Sequence, residues 1–208
     1  MDWGVGTYER TAEVLEPAAI AAIDALGLRA GDRVLDVACG TGNAALLAAE
    51  RGARVVGLDG SERLLGVAAE RAAEHGLDGI EWVVGDMTEL PFPDDAFDAA
   101  VSIFGVIFAP DARAVADELL RVVRPRGRIA ITTWVSYGPI AEVIRLTRQA
   151  VAETQPEQPR SASSDHHDWG EPEVLHELLG SDAEIVELAL PFTAASPRAW
   201  VEEQDAHH

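Results

Sequence analysis

The segment Val34–Ala45, which reads VLDVACGTGNAA, has the residue types and spacing of a loop that binds a nucleotide cofactor. An apolar run leads into Gly40 and Gly42, and an alanine-rich helical pattern follows directly. Glycine lets the backbone turn with positive φ and approach a ligand closely, and a helix N-terminus offers unpaired N–H groups. The spacing also satisfies the G-x-G-x-x-G/A fingerprint of dinucleotide sites, so the loop alone does not identify the cofactor.

Aspartates at three successive strand ends narrow the choice of ligand. Asp36 lies inside an apolar run, where a charge is costly unless it is paired, and it therefore favours a ligand with an ammonium group. Asp59 ends the next run and can accept both hydroxyls of a ribose, whereas Asp86, beside Met87, can accept from an adenine amino group. Each aspartate taken singly is also an ordinary cap or turn residue. Three of them at neighbouring strand ends indicate one ligand at a shared sheet edge.

A parallel sheet is needed to bring these residues together, and the hydrophobic pattern predicts one. Short apolar runs alternate with amphipathic, alanine-rich segments, which is typical of βα units in a Rossmann-like, doubly wound, mostly parallel α/β fold. Five strands are predicted, at Arg33–Ala38, Arg54–Asp59, Ile80–Gly85, Asp98–Phe104 and Arg128–Trp134. Helices are predicted at Glu16–Leu26, Ala44–Arg51, Glu62–His75, Asp111–Val123 and Pro172–Leu179, and a further strand at Ala183–Leu190. Ser61 and Asp111 are the expected N-caps of two of these helices.

The chain has the length and composition of a single domain. Its 208 residues are 48% hydrophobic, which is ample for one packed core. The pattern divides it into an N-terminal helical cap (1–30) and a cofactor-binding core (31–135). A helix, a polar lid loop and a short helix follow (136–182), and the chain ends in a strand and tail (183–208).

The charge balance excludes several classes of partner. Sixteen basic residues, all arginine, stand against 36 acidic ones, giving a formal net charge of −20. This charge repels phosphate backbones and anionic lipids, so we expect neither nucleic acid nor a membrane as partner. Because no apolar stretch reaches the ~20 residues of a span, and Met1 begins no basic and apolar leader, we expect a cytoplasmic protein. The oligomeric state leaves no signal in the sequence.

Four segments, in order, resemble the motifs of class I S-adenosylmethionine-dependent methyltransferases. They read VLDVACGTG, VVGLDGS, VVGDMTELPFPDDAFDAAVS and ELLRVVRPRGRIAITTW, and the resemblance runs from Tyr8 to Trp134. It is most similar to the small-molecule branch that includes ubiquinone and menaquinone methyltransferases. The resemblance implies S-adenosyl-L-methionine as cofactor and S-adenosyl-L-homocysteine as product. The resemblance also implies a last, antiparallel strand, which this chain lacks or has in abbreviated form. Where the family usually has a proline-glycine-glycine turn, this chain has Pro125-Arg126-Gly127.

The same resemblance implies the cofactor-binding residues. Asp36, Gly40 and Gly42 would hold the methionine part, and Asp59 the ribose. The adenine would lie against Gly60 and the edge formed by Asp86 and Met87. Ser102 and Phe104 would pass beside the sulfonium, and Tyr8 would close over the carboxylate end unless it is a helix-packing aromatic. The predicted set is completed by Ala38, Thr41 and Gly85.

The acceptor is predicted less closely than the cofactor. Aromatic residues near the strand ends favour a neutral, aromatic or lipophilic small molecule, methylated on oxygen, nitrogen or carbon by alignment alone. No catalytic residue is identified; His166 and His167 are candidates for a general base, although both lie in a polar segment typical of solvated loops. No metal site is expected, since Asp111 lacks the companion residues of a magnesium site.

Two alternatives stay open. The glycine loop and Asp59 would also suit an NAD(P)-dependent oxidoreductase, although a chain without lysine cannot supply a Tyr-x-x-x-Lys pair. The second alternative is a protein that binds the cofactor without catalysis.

Overall fold

The computed structural model describes residues 8–142, 145–146 and 169–189, with side chains from residue 14 onward. Its strands are β1 Arg33–Val37, β2 Arg54–Asp59, β3 Glu81–Val84, β4 Phe97–Ile103 and β5 Val123–Thr132. Its helices are α1 Tyr8–Leu26, α2 Asn43–Glu50, α3 Glu62–Glu74, α4 Ala112–Val122 and α5 Pro172–Leu179. A short 3₁₀ helix, Val106–Phe108, follows β4, and residues 138–142 are helical.

The five strands form one parallel sheet in the order β3-β2-β1-β4-β5, which confirms the predicted α/β fold. β1 is central, and Asp36 on it lies opposite Gly57 of β2 and Val101 of β4. From β1 to β3 successive strands are added towards one edge of the sheet, whereas β4 and β5 are added on the other side of β1. In open sheets of this kind, ligands bind outside the carboxyl ends of the strands at such a reversal. The topology therefore places the predicted site at the ends of β1 and β4.

Helices cover both faces of the sheet. Val34 of β1 packs in one core cluster with Ile23 of α1 and Ala45 of α2. Its neighbour Leu35 packs in a second cluster with Leu119 of α4, on the other face. Because successive strand side chains point to opposite faces, a strand covered on both sides reads as a continuous apolar run. This explains why β1 is apolar at every position but Arg33 and Asp36.

The helix starts follow the predicted capping chemistry. The Ser61 hydroxyl accepts a hydrogen bond from the Leu64 N–H at the start of α3. The Asp111 carboxylate accepts from the Ala114 N–H, 3.0 Å away, at the start of α4. Both predicted N-caps are confirmed, and they orient the helices that follow β2 and β4.

Two elements begin more than one residue away from the start that the sequence predicts. α1 begins at Tyr8 and runs through Pro17, which the pattern had placed in the first turn. β5 begins at Val123, because a register shift opposite Phe97 and Ala99 takes the turn at residues 125–127 into the strand. In that turn Arg126 adopts a φ of +64°, a conformation that costs a non-glycine residue about 1–2 kcal/mol. A Cβ on Gly127 would lie 2.3 Å from the Val123 Cγ1 atom, so this position excludes any side chain.

The predicted strand Ala183–Leu190 is wrong over residues 183–189, which pair with no strand. Its apolar side chains Ile185, Val186 and Leu188 are exposed, so the alternating pattern there does not mark a buried sheet face. An extended segment becomes a strand only where a sheet edge accepts its hydrogen bonds. Over the described residues, no antiparallel strand accompanies β5.

None of the helices within the described ranges combines the length and the apolar character that a membrane crossing requires.

Candidate functional site

The loop Ala38–Gly42 turns sharply between the end of β1 and the start of α2. Ala38, Gly40 and Gly42 all have positive φ, at +53°, +54° and +84°. A Cβ on Gly42 would lie 2.9 Å from the Leu46 side chain and 3.0 Å from the Trp82 ring, so only glycine fits there. Gly42 is also the N-cap of α2 and supplies no side-chain cap. The first turn of α2 therefore begins at the sheet edge with N–H groups that no N-cap side chain satisfies.

Asp36 is the charged side chain buried most deeply at this edge, with 1% of its surface exposed. Its Oδ2 atom accepts a hydrogen bond from the Ala45 N–H at 2.9 Å, whereas its Oδ1 atom is buried and has no partner. Burial is the main cause that raises the pKa of Asp36 to about 8; the hydrogen bond from Ala45 lowers this pKa and the nearby Asp59 charge raises it. A buried acceptor without a donor is uncommon in folded proteins. The arrangement calls for a donor, preferably a cationic one, from a ligand.

Asp59 joins two segments of the site. Its Oδ2 atom accepts the Gly40 N–H and its Oδ1 atom accepts the Ser61 N–H, each at 2.8 Å. An ionised carboxylate has about four acceptor positions, so two are used here and two can receive ribose hydroxyls. The contact with ribose stays a prediction. The sequence did not predict the hydrogen bond between Asp59 and Gly40, because the two residues are 19 positions apart in the chain.

Asp86 follows β3 and shapes the turn there. Its Oδ1 atom accepts the Thr88 N–H at 2.8 Å and the Thr88 hydroxyl at 2.7 Å, and these bonds lower its pKa. Through its Oδ1 atom, Asp86 therefore acts as an ordinary turn residue. Its predicted contact with adenine stays a prediction.

Two cavities meet at Ala38. One is narrow and is lined by Leu15, Asp36, Ala38, Cys39, Thr41, Asn43, Ala44 and Ile103. The other has a volume of about 340 Å³ and is lined by Ala38, Leu58, Gly60, Val84, Gly85, Asp86 and Met87. The structure thus brings seven of the predicted residues to the walls of adjoining cavities: Asp36, Ala38, Thr41, Gly60, Gly85, Asp86 and Met87. Leu15 and Ile103 had no sequence signal, because an apolar wall residue looks like any core residue.

Ser102 and Phe104 line neither cavity. The Ser102 hydroxyl is fully buried, donates to the Val37 carbonyl at 2.7 Å and accepts the Val106 N–H at 3.3 Å. Phe104 has a φ of +53° and stacks on Trp134, with 4.2 Å between ring centroids and 22° between ring planes. Leu15 packs against this stack from α1. Ser102 thus bonds to the end of β1, and Phe104 packs with Leu15, which lines the narrow cavity. The predicted place of Ser102 and Phe104 beside a sulfonium stays a prediction.

The other predicted residues are placed as follows. Gly40 and Gly42 form the loop through their backbone, as described. Tyr8 is the first residue of α1, and its side chain lies outside the described part. His166 and His167 also lie outside the described residues. Within those residues, no three His, Cys, Asp or Glu side chains gather where they could hold a metal ion.

Residues 34–127 match the protein family described as "Methyltransferase domain", and this segment holds Asp36, the glycine loop, Asp59 and Asp86. The segment that holds the predicted site is therefore similar to a methyltransferase domain. Over 116 residues the chain is 46% identical to the demethylmenaquinone methyltransferase of Clavibacter sepedonicus, covering 56% of this chain and 46% of that protein.

A second relative extends the similarity along the chain. Over 179 residues the chain is 38% identical to an uncharacterized protein of Mycobacterium tuberculosis, an alignment that covers 86% of this chain. The chain spans 63% of that relative, less than two thirds of its length. A crystal structure of a SAM-dependent methyltransferase from Aquifex aeolicus is 23% identical, with a TM-score of 0.54 over 65% of this chain and 77% of that one. The structural likeness shows a shared fold.

Proposed function

We propose that this protein is a methyltransferase that binds S-adenosylmethionine and transfers its methyl group to a neutral, aromatic or lipophilic small molecule. The observation that carries the proposal is the buried Oδ1 atom of Asp36, which has no partner at the end of β1. The ammonium group at the amino-acid end of S-adenosylmethionine is the kind of donor that this atom lacks. A pyrophosphate, as in NAD(P), carries no donor for this atom and is repelled whenever Asp36 is ionised.

We assign the remaining parts of the cofactor to the adjoining surfaces. We place the adenosine in the 340 Å³ cavity, where Gly60 and Gly85 present backbone rather than side chain. A Cβ on Gly85 would lie 2.8 Å from the Leu58 side chain, so this wall is closed to larger residues. The amino-acid end would lie in the narrow cavity, beside Asp36. Because that cavity is narrow and Leu15 of α1 lines it, we infer that α1 shifts when the ligand enters.

The chemistry asks little of the protein beyond alignment. When bound, S-adenosylmethionine supplies a methyl group already activated by its sulfonium. The side chains must therefore hold the acceptor in line with the methyl group and keep water out. At the ends of β4 and β5, the half-buried Trp134 ring stacks on Phe104, which is buried together with Leu15 and Ala18. We propose that the Trp134 ring receives a flat, apolar acceptor. A general base is needed only for a poorly acidic acceptor, and His166 and His167 are the candidates for it.

The relatives support an apolar acceptor. The Clavibacter sepedonicus protein is named for demethylmenaquinone, a lipophilic ring compound. The family match does not favour the alternative of an NAD(P)-dependent oxidoreductase.

Calorimetry followed by a turnover screen tests the proposal. We expect S-adenosylhomocysteine to bind and NADH not to bind. With methyl-labelled S-adenosylmethionine, label should appear in quinone-like or phenolic acceptors more than in charged amines. NADH binding without any response to S-adenosylhomocysteine would contradict the proposal, and binding without turnover of any acceptor would favour a protein that holds the cofactor without catalysis.

A further inference from the structure

Arg71 of α3 reaches across to the glycine loop. Its Nη1 atom donates to the Thr41 carbonyl oxygen at 2.7 Å, to the Thr41 hydroxyl at 3.1 Å and to the Asn43 side-chain oxygen at 2.8 Å. Thr41 and Asn43 both line the narrow cavity that holds Asp36. One guanidinium nitrogen thus ties a wall of the proposed cofactor site to a different helix, 30 residues further along the chain.

The charge of Arg71 is unusual for its location. Positive charge near a helix N-terminus opposes the helix dipole, yet the first turn of α2 has no acidic residue and its N-cap is a glycine. The loop oxygens partly offset this cost. The result is a guanidinium charge at the start of α2, where the Ala45 N–H donates to Asp36 of β1. Asp36 becomes negatively charged when it gives up its proton. A ligand end that carries both a carboxylate and an ammonium group matches this pair of charges.

Packing of α3 does not depend on Arg71. The helix has its own N-cap in Ser61, and it buries Leu64, Leu65 and Ala68 against the sheet side. Thr41, by contrast, is 1% exposed, and Arg71 is the side chain that satisfies its hydroxyl and carbonyl oxygens. The bonds of Arg71 therefore go to the loop rather than to the support of its own helix.

We propose that Arg71 is a positioning residue for the amino-acid end of the cofactor. It fixes Thr41 in the loop and Asn43 at the first position of α2, and it makes the start of α2 attractive to the carboxylate of the bound ligand. This inference rests on the proposed function, since it assumes a ligand of the S-adenosylmethionine type.

The test compares two probes that differ only at the amino-acid end. S-adenosylhomocysteine carries the carboxylate and ammonium groups, whereas 5′-methylthioadenosine has the same adenosine and sulfur without them. We expect Arg71→Met to weaken S-adenosylhomocysteine binding about 10-fold or more and to change the affinity for 5′-methylthioadenosine by less than about 2-fold. Arg71→Lys keeps the charge without the forked donor geometry, so it should recover part of the affinity.

Arg51→Met is the matched control. Arg51 lies at the other end of α2, where it donates to the Leu47 carbonyl and pairs with Asp24. This control should alter stability without changing the ratio of the two affinities. Thermal unfolding of each variant checks that it folds; if Arg71→Met does not fold, Arg71→Lys alone should still weaken the first probe and spare the second.

Equal effects of an Arg71 substitution on both probes, or no effect on either, would overturn the inference. If the unaltered protein binds 5′-methylthioadenosine and S-adenosylhomocysteine equally well, the amino-acid end has no site and the inference also fails. Absence of S-adenosylhomocysteine binding by the unaltered protein would instead contradict the proposed function itself, and the inference with it.

Discussion

Asp36→Asn should make the ligand-free protein more stable and its cofactor binding weaker. Asparagine keeps one oxygen to accept the Ala45 N–H, and it replaces the unpaired Oδ1 atom with a neutral amide. An unfolded aspartate titrates near pH 3.9, whereas burial raises the pKa of folded Asp36 to about 8. Between these values the folded state holds a proton that the unfolded state has lost. The stability contributed by Asp36 is therefore complete at low pH and falls as the pH rises from about 4 to about 8.

The size of the effect follows from the interval between the two pKa values. At about 1.4 kcal/mol per pKa unit, the interval corresponds to an upper limit of about 5 kcal/mol at pH 8 and about 1.5 kcal/mol at pH 5. Relaxation and water entry reduce the penalty of a buried charge, so we expect Asp36→Asn to gain about 2 kcal/mol or more at pH 8. Urea unfolding of both proteins at pH 5 and pH 8 measures this difference.

Binding should change in the opposite direction. An ammonium group that loses a charged partner loses about 1.5–3 kcal/mol, so the affinity for S-adenosylhomocysteine should fall roughly 10- to 100-fold. In the unaltered protein the ligand must displace a proton from Asp36. Its affinity should therefore rise between pH 6 and pH 8, with proton release visible by calorimetry in two buffers of different ionisation enthalpy. In Asp36→Asn both effects should vanish.

Asp32→Asn provides the control for this experiment. Asp32 lies just before β1, at the opposite end of the strand, and accepts hydrogen bonds from the Arg29 N–H and the Arg128 guanidinium. These partners lower its pKa, so it stabilises the fold above about pH 4 and loses that contribution in acid. Asp32→Asn should destabilise the protein and leave ligand affinity unchanged. A less stable Asp36→Asn at pH 8, or one that binds S-adenosylhomocysteine as tightly as the unaltered protein, would refute the reasoning.

Three further substitutions test other parts of the site. Asp59→Ala leaves two loop N–H groups without acceptors and should weaken S-adenosylhomocysteine binding by about 1–3 kcal/mol; an unchanged affinity in calorimetry would remove Asp59 from the site. Arg126→Gly relieves a φ of +64° and should raise the free energy of unfolding in urea by about 0.5–1 kcal/mol; a decrease would argue against strain in that turn. Trp134→Ala removes the ring stacked on Phe104 and should slow methyl transfer to apolar acceptors about 10-fold. S-adenosylhomocysteine affinity should meanwhile stay within about 2-fold, and a parallel loss of both would assign Trp134 to the cofactor.

Much of the fold could be predicted because the signals are local. A strand covered on both faces shows an apolar run, and a helix start shows its capping residue, as at Ser61 and Asp111. Alternation of these signals predicted the parallel sheet, and with it the placing of Asp36, Asp59 and Asp86 at neighbouring strand ends. The same local reasoning failed at residues 183–189, where apolar alternation met no sheet edge.

Contacts across the chain could not be predicted in this way. Nothing near Arg71 in the sequence indicates that it reaches Thr41, and nothing near Ser102 indicates that its hydroxyl donates to the Val37 carbonyl. Leu15 lines the cavity beside Asp36 only because α1 packs over the sheet at that point.

The sequence by itself determined the order of β1–β5 and the helices between them, and the position of the glycine loop. It also determined that Asp36, Asp59 and Asp86 lie at the same edge of the sheet. These depend on hydrophobic period, capping and turn chemistry, which act over a few residues. Only the tertiary structure decided that the Asp36 Oδ1 atom is left without a partner, that Asp59 and Arg71 hold the loop, and that Phe104 stacks on Trp134. The burial and the hydrogen-bond partners of a polar atom depend on neighbours from distant parts of the chain. The local spacing of residues in the sequence does not show which neighbours these are.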